Sequence, residues 1–497
     1  MDTTFVTRER DRMLRELGEF LSIPSVSTLP DHARDCRAAA QWLMAELERL
    51  GCPVVTLIEG NGHPVVWAES PPVEGKPTLL VYGHYDVQPP DPLDEWVTPP
   101  FAPTVRDGKL FARGAADDKG QVYCLLKAYE AVRGPDGRPP VNVRFIFEGE
   151  EECGGNVIFD LLRQERWRTD VDAALVLDMS YYAAGIPAVY TALRGMCYAE
   201  IVVRTLDHDL HSGTYGGVAP NAIETLVRML SRLKEPTGEI RIPKLYKDVK
   251  TPPKAELKAW KRLPFDKHAY LEHEVGAKAL TGIKKYSILE RTWALPTFEI
   301  HGIRGGFTGD GAKTVIPAQA TAKVSLRLVP GQSLERVQRQ LARAVARVAP
   351  KYADVEVRLL HGGDPVEVDT SDPAFDVLDA AFEEVTGRKT VRARAGGSIP
   401  IVPELGGSGA PVLLTGIGLP DDRPGGARTH PGRGGEHGPG GLESGRGHQV
   451  QGQRGSHSPA QGRQRCGARG RPAAGTEPGG RTARRGPGDR QHGCGRG

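Results

Sequence analysis

Apolar residues in the first part of the chain keep two alternating rhythms. Across 35–50, Ala39, Leu43, Leu47 and Leu50 fall at helical spacing. The pattern stops at Gly51, a residue that readily takes the left-handed C-cap conformation, so a helix is predicted there. Residues 8–20 are also helix-periodic, and 120–132 form a third helical stretch. Short runs of strand character lie at 54–58, 64–69, 78–82, 141–147 and 173–177. Strands alternating with helices in this way predict an α/β domain built on a mostly parallel sheet.

The rhythm changes after Arg194-Gly195. Strand patterns at 197–204, 297–301, 319–328 and 355–360 surround helical patterns at 222–233 and 334–348, the mixture expected of a smaller α+β sandwich inserted into the first domain. Residues 236–291 are rich in Lys and Pro and show no readable period. A helical stretch at 373–387, the loop Ala395-Gly396-Gly397-Ser398-Ile399-Pro400 and the apolar run 411–415 lead the chain back. The expected organisation is 1–194 and 371–423 forming one domain, 195–370 inserted between them, and a tail at 424–497. A chain of 497 residues exceeds what one hydrophobic core normally supports, in line with two domains.

Composition alters this picture only at the end of the chain. Hydrophobic residues make up 39% and charged residues 26%, as in ordinary globular proteins. No apolar run approaches the roughly 18 residues of a membrane span, so no membrane partner is expected. No basic-then-apolar leader follows Met1-Asp2-Thr3-Thr4, which makes the cytoplasm the expected address. Cys36, Cys52, Cys124, Cys153 and Cys197 lack the spacing of a metal or redox motif and read as reduced packing residues. The last 74 residues, from Pro424, hold thirteen Arg, no Lys, four acids and 23 of the 61 glycines. The tail is therefore net basic and the body net acidic. Leu442 and Val450 are the tail's only large apolar residues, so it cannot form a core, and nucleic acid is not an expected partner. Out-of-frame translation of GC-rich DNA gives such a composition. A genuine disordered tail is the alternative, and the coding nucleotide sequence decides between them.

Four segments carry candidate chemistry. The run 78–82 ends in Gly83-His84-Tyr85-Asp86-Val87, and alternation along an extended backbone places His84 and Asp86 on one side, one to ligate and the other to orient it. Arg113-Gly114-Ala115-Ala116-Asp117-Asp118-Lys119-Gly120 stands before a helix, where its acids could equally serve as caps. Strand 141–147 runs into Glu148-Gly149-Glu150-Glu151-Glu152, whose crowded carboxylates repel one another unless a cation or solvent separates them. Leu175-Val176-Leu177-Asp178 again ends a strand with an acid. Ligands of open α/β sheets gather outside the carboxyl ends of the strands, and His84, Glu151, Glu152 and Asp178 all fall at such ends. One histidine with several carboxylates suits Zn²⁺ or a similar divalent ion, and several carboxylates suit two ions about 3.5–4 Å apart.

These segments, with His-Ser-Gly (211–213), Lys-Thr-Val-Ile-Pro (313–317) and Arg-Leu-Val-Pro (327–330), resemble those of the carnosinase-type dipeptidases. They belong to the two-zinc metallopeptidase family that also holds acetylornithine deacetylase, succinyl-diaminopimelate desuccinylase and aminoacylase. The resemblance runs over roughly residues 10–423. It implies a zinc-peptidase catalytic domain with an inserted ferredoxin-like lid and dimerisation domain. It also implies two divalent ions, zinc with manganese or cobalt as alternatives, and hydrolysis of dipeptides or short peptides with a free C-terminal carboxylate. Position by position, His84 and Asp178 would each bind one metal, Asp117 would bridge both, and Glu152 would bind a metal. Glu151 would be the general base on the bridging water, and Asp86 would support His84. The peptide bond after Asp117 would be cis. His211 would reach into a partner subunit's site to stabilise the oxyanion, which makes a homodimer the implied assembly. Arg327 and the Gly396-Gly397-Ser398 loop would hold the substrate's terminal carboxylate.

The resemblance stops after Gly416-Ile417-Gly418-Leu419-Pro420-Asp421-Asp422-Arg423. There the family supplies its last metal-binding histidine and a closing helix. His430 and His437 follow in Gly/Pro/Arg surroundings that do not match. Two other readings therefore stand beside the dipeptidase. One is deacylation of an N-acyl amino acid by the same mechanism, and the other is an inactive copy lacking one ligand.

Overall fold

The computed structural model describes residues 4–407 and 409–419. The tail expected from 424, with His430 and His437, lies outside the described residues. Nine strands form one large sheet. Its four central strands, Asn142–Glu148, Thr78–His84, Ala173–Leu177 and Val412–Thr415, run parallel to one another. Toward the edges the pairing turns antiparallel, through Val65–Glu69 and Val54–Ile58 on one side and Ala188–Leu193 on the other. Val366–Glu367 and Val391–Ala395 both pair with Ala188–Leu193.

Both faces of this sheet are covered, which is why its strands read as nearly continuous apolar runs. On one face Val66, Ala68, Val81, Phe145 and Phe147 pack against Phe20, against Ala39, Leu43 and Leu47 of the Ala33–Arg49 helix, and against Val122 and Leu126 of the Lys119–Val132 helix. On the other, Val65, Trp67, Leu80, Tyr82 and Ile146 meet Val157, Ile158, Leu161 and Leu162 of the Val157–Gln164 helix. Each fully buried Leu or Phe contributes ~1.5–3 kcal/mol, so these two layers hold the strand ends in place. The helix expected over 35–50 is seen at Ala33–Arg49, and Gly51 takes φ +78°. Among the elements not anticipated are the Val157–Gln164 helix and the Ala188–Leu193 strand. At eight and six residues they are too short for a period to stand out.

A separate antiparallel sheet has the order Thr297–Gly305, Gln319–Leu328, Gly195–Arg204, Asp354–Gly363. Alternation puts Cys197, Ala199, Ile201 and Val203 on the face covered by the Ala222–Leu233 and Leu334–Val348 helices. The first helix is capped by Asn221, whose side chain accepts the N–H groups of Ile223 and Glu224. The strand expected at 297–301 continues to Gly305. The register shifts between Ile300 and Gly302, and the outer part is largely exposed, so no apolar alternation marks it. Within the unreadable 236–291 segment, the Lys254–Trp260 helix is clamped to the large sheet. Buried Arg394 pairs with Glu256 through two bonds of 2.7 Å. No helix among the described residues is long and apolar enough to cross a membrane.

Candidate metal centre

His84 is the last residue of the Thr78–His84 strand and lies beside Glu148, the last residue of its parallel neighbour. Its side chain is fully buried. Nε2 is 3.1 Å from Asp117 Oδ1 and 3.8 Å from Asp178 Oδ1. On the opposite edge of the ring, Nδ1 is 3.3 Å from Asp86 Oδ1 and 3.1 Å from the Asp86 carbonyl oxygen. Asp86 is itself fully buried, and its carboxylate accepts the N–H groups of Glu151 at 3.3 Å and Glu152 at 3.1 Å. One carboxylate thus ties the imidazole to the turn that carries the paired glutamates. Gln88 steadies the second of these by donating to Glu152 Oε2 at 2.7 Å.

Asp118, to which the sequence assigned no role, is buried under the same strand end. Its Oδ2 accepts the His84 backbone N–H at 3.1 Å, while Oδ1 is buried without a hydrogen-bond partner among the described residues. The peptide bond between Asp117 and Asp118 is cis. Atoms of His84, Asp118 and Asp178 that could ligate an ion all lie within 4.8 Å of one another. A side chain at position 83 would collide with Asp118 Oδ2 at 2.8 Å and Val122 at 2.5 Å, so glycine is required next to His84. The two adjacent aspartates were a visible signal. Which of them faces inward is set by the backbone.

The electrostatics of this cluster are those of too many acids in too little solvent. Burial raises Asp118 and Glu151 well above the ordinary carboxylate range, with the Asp178 charge adding to both. Burial, and then Asp117, push Glu152 up to about 7, and burial raises Asp178 as well. Glu148 rises to about 8 through burial, opposed by the Tyr82 hydroxyl that donates to it at 2.7 Å. His84 is pulled the other way. Burial would lower it, but Asp117, Asp178 and Asp86 together raise it well above its usual value. Asp117 meets the same burial but is held low by the His84 ring. A divalent cation fits this donor set. It would let the carboxylates ionise and would give a partner to the unbonded Asp118 oxygen.

The remaining expected residues lie elsewhere. His211 is exposed on the short Leu210–His211 strand, where its ring accepts the Gly213 N–H at 3.1 Å and lies 3.1 Å from the Thr314 hydroxyl. No described contact joins it to the His84 cluster. Arg327 stands on the Gln319–Leu328 strand opposite Met196, between Leu326 and Leu328, whose side chains enter the helix-covered core. The Gly396-Gly397-Ser398 loop follows the Val391–Ala395 strand and is held by Arg194, a residue to which no role was given.

An imidazole ringed by carboxylates at the carboxyl ends of parallel strands is the constellation of a metal-dependent hydrolase. The chain belongs to peptidase family M20/M25/M40, whose family model matches residues 80–431. Human Beta-Ala-His dipeptidase is 32% identical over 416 residues, covering 80% of this chain and 82% of that protein. A Cys-Gly metallodipeptidase of Schizosaccharomyces pombe is 32% identical over 437 residues, covering 84% of this chain and 91% of that protein. The crystal structure of human carnosine dipeptidase 1 superposes with a TM-score of 0.74 at 31% identity, covering 84% of this chain and 91% of that one. The protein is a metallopeptidase of this family, as its motifs implied.

Proposed function

We propose that this protein hydrolyses the amide bond of dipeptides or short peptides with a free C-terminal carboxylate, using two divalent ions, zinc by preference. The observation that carries the reading is the Asp86 carboxylate, which couples His84 to the N–H groups of both Glu151 and Glu152. His84, Asp117, Glu152 and Asp178 would hold the metal ions. Bound there, the ions polarise the scissile carbonyl and make water a better acid. Glu151 accepts the proton from the attacking water and returns it to the leaving amine. Asp118 holds the His84 backbone from beneath. Residues 195–370 act as a lid and dimerisation unit that presents His211 to the partner subunit, and Arg327 with Gly396, Gly397 and Ser398 receives the terminal carboxylate.

The test compares Glu151→Gln with Glu152→Gln. Glu151→Gln is expected to keep its metal content and to lose ~10²–10⁴-fold in kcat on a dipeptide panel. Glu152→Gln is expected to bind metal more weakly. Equal metal loss in the two variants would show that the roles of the neighbours are reversed. Cleavage of N-acetyl amino acids in preference to dipeptides would favour a deacylase, and a metal-loaded protein inert toward both would identify an inactive copy.

A further inference from the structure

We propose that Arg194 is a second carboxylate-reading guanidinium, which together with Arg327 selects substrates with a free C-terminal carboxylate. This rests on the dipeptidase reading above. Arg194 sits at the crossing between the two sheets, after the Ala188–Leu193 strand and before the Gly195–Arg204 strand. The crossing is tight. A side chain at Gly195 would lie 2.5 Å from both the Gly363 carbonyl oxygen and the Pro365 nitrogen, so the backbone that carries Arg194 is packed against a second strand crossing.

The side chain lies along the loop already assigned to the carboxylate. The Arg194 N–H donates to the Gly397 carbonyl at 3.2 Å, and Nε donates to the Gly396 carbonyl at 3.4 Å. A Cβ on Gly396 would come within 2.7 Å of Nη2, so glycine is what lets the guanidinium lie flat there. Nη1 is left over, buried from solvent and without a hydrogen-bond partner among the described residues. Burial without a partner is costly for any polar atom and most of all for a charged one.

Arg327 lies two register steps from Arg194, since Gly195 pairs with Leu328 and Met196 with Arg327. Its guanidinium also makes no hydrogen bond or ion pair with a described residue, and burial lowers its pKa. Arg194 is lowered to about 10 by burial and then by the Arg327 charge. Glu299 is the acid that acts on Arg194, and Lys234 engages its carboxylate at 3.1 and 3.2 Å. Two partly desolvated guanidinium groups near one another, one of them lying on a glycine loop and neither paired with a carboxylate among the described residues, form a site that lacks an anion. The planar fork of arginine matches a carboxylate, whereas an uncharged amide terminus would leave the pair uncompensated.

The test uses the full-length zinc-loaded protein and a dipeptide analogue whose peptide bond is reduced to CH2–NH, prepared as the free acid and as the C-terminal amide. Titration calorimetry gives the affinity for each. The wild type is expected to prefer the acid. Arg194→Gln can still donate to the loop carbonyl, and it should weaken the acid by roughly 30- to 1000-fold while changing the amide less than about 3-fold. Arg194→Lys keeps the charge without the fork and should fall between, and it carries the comparison if Arg194→Gln does not fold. Parallel weakening of acid and amide would show that Arg194 only anchors the loop, which overturns the inference. An unchanged acid preference in Arg194→Gln, with the preference lost in Arg327→Gln, would overturn it as well. A wild type without acid preference would overturn the underlying substrate reading and this inference with it.

Discussion

Replacing Asp86 tests whether one buried carboxylate organises the centre. In Asp86→Ala two donors lose their acceptor at once, the backbone N–H groups of Glu151 and Glu152, while the His84 ring loses its charge partner and keeps the carbonyl oxygen of residue 86. Asp86 itself has no exposed surface. At ~1–3 kcal/mol for each buried donor left unbonded, the variant should lose ~2–6 kcal/mol, a large fraction of the stability of an ordinary domain. Asp86→Asn is the more informative change. It keeps one acceptor oxygen and turns an NH2 toward one of the donors, so it should retain the fold while releasing one of the two backbone N–H groups of the turn. Metal affinity should then drop by ~10–100-fold, as for other residues that orient a ligand. Urea unfolding of the metal-free protein and chelator competition for zinc measure the two effects separately. An Asp86→Asn protein with wild-type unfolding midpoint and wild-type zinc affinity would refute the reasoning.

Three further outcomes are expected. The metal-free protein should become less stable as pH rises from about 4.5 to 8. Glu148, Glu152 and the raised acids around them keep their protons when folded but release them near pH 4.3 when unfolded, and His84, raised in the folded state, contributes with the same sign. Excess zinc should flatten that slope, and a melting temperature of EDTA-treated protein that does not fall over this range would contradict it. Glu256→Ala leaves the buried Arg394 guanidinium with no acid nearer than Glu367 at 4.0 Å, so it should cost up to ~3–5 kcal/mol and expose the 254–260 helix to limited proteolysis, whereas an unchanged cleavage pattern would count against the clamp. If His211 serves the partner's site, mixing inactive Glu151→Gln with inactive His211→Ala should restore activity in mixed dimers, and no recovery after proven subunit exchange would place its action within its own chain.

Much of this protein is determined locally. The helix at Ala33–Arg49, the strand runs of the large sheet and the alternation of Gly195–Arg204 follow from apolar spacing over a few residues, because side-chain periodicity is a property of the backbone itself. The clustering of His84, Glu151, Glu152 and Asp178 at strand ends was legible for the same reason, since a strand that stops at a charged residue marks its own carboxyl end. What the sequence could not contain is how separate segments meet. Asp86 reaches residues 65 and 66 positions away, Asp118 rather than Asp117 turns beneath the His84 backbone, and Arg194 touches a loop 202 residues on. These contacts depend on sheet order, register and the space left by glycines at 83 and 396, none of which has a local signature. Residue types and their positions along strands were enough to read a divalent-metal site, and the resemblance of the motifs made it a metallopeptidase. Only tertiary packing decided which oxygens bind a backbone, which face the imidazole, and which buried groups are left without a partner.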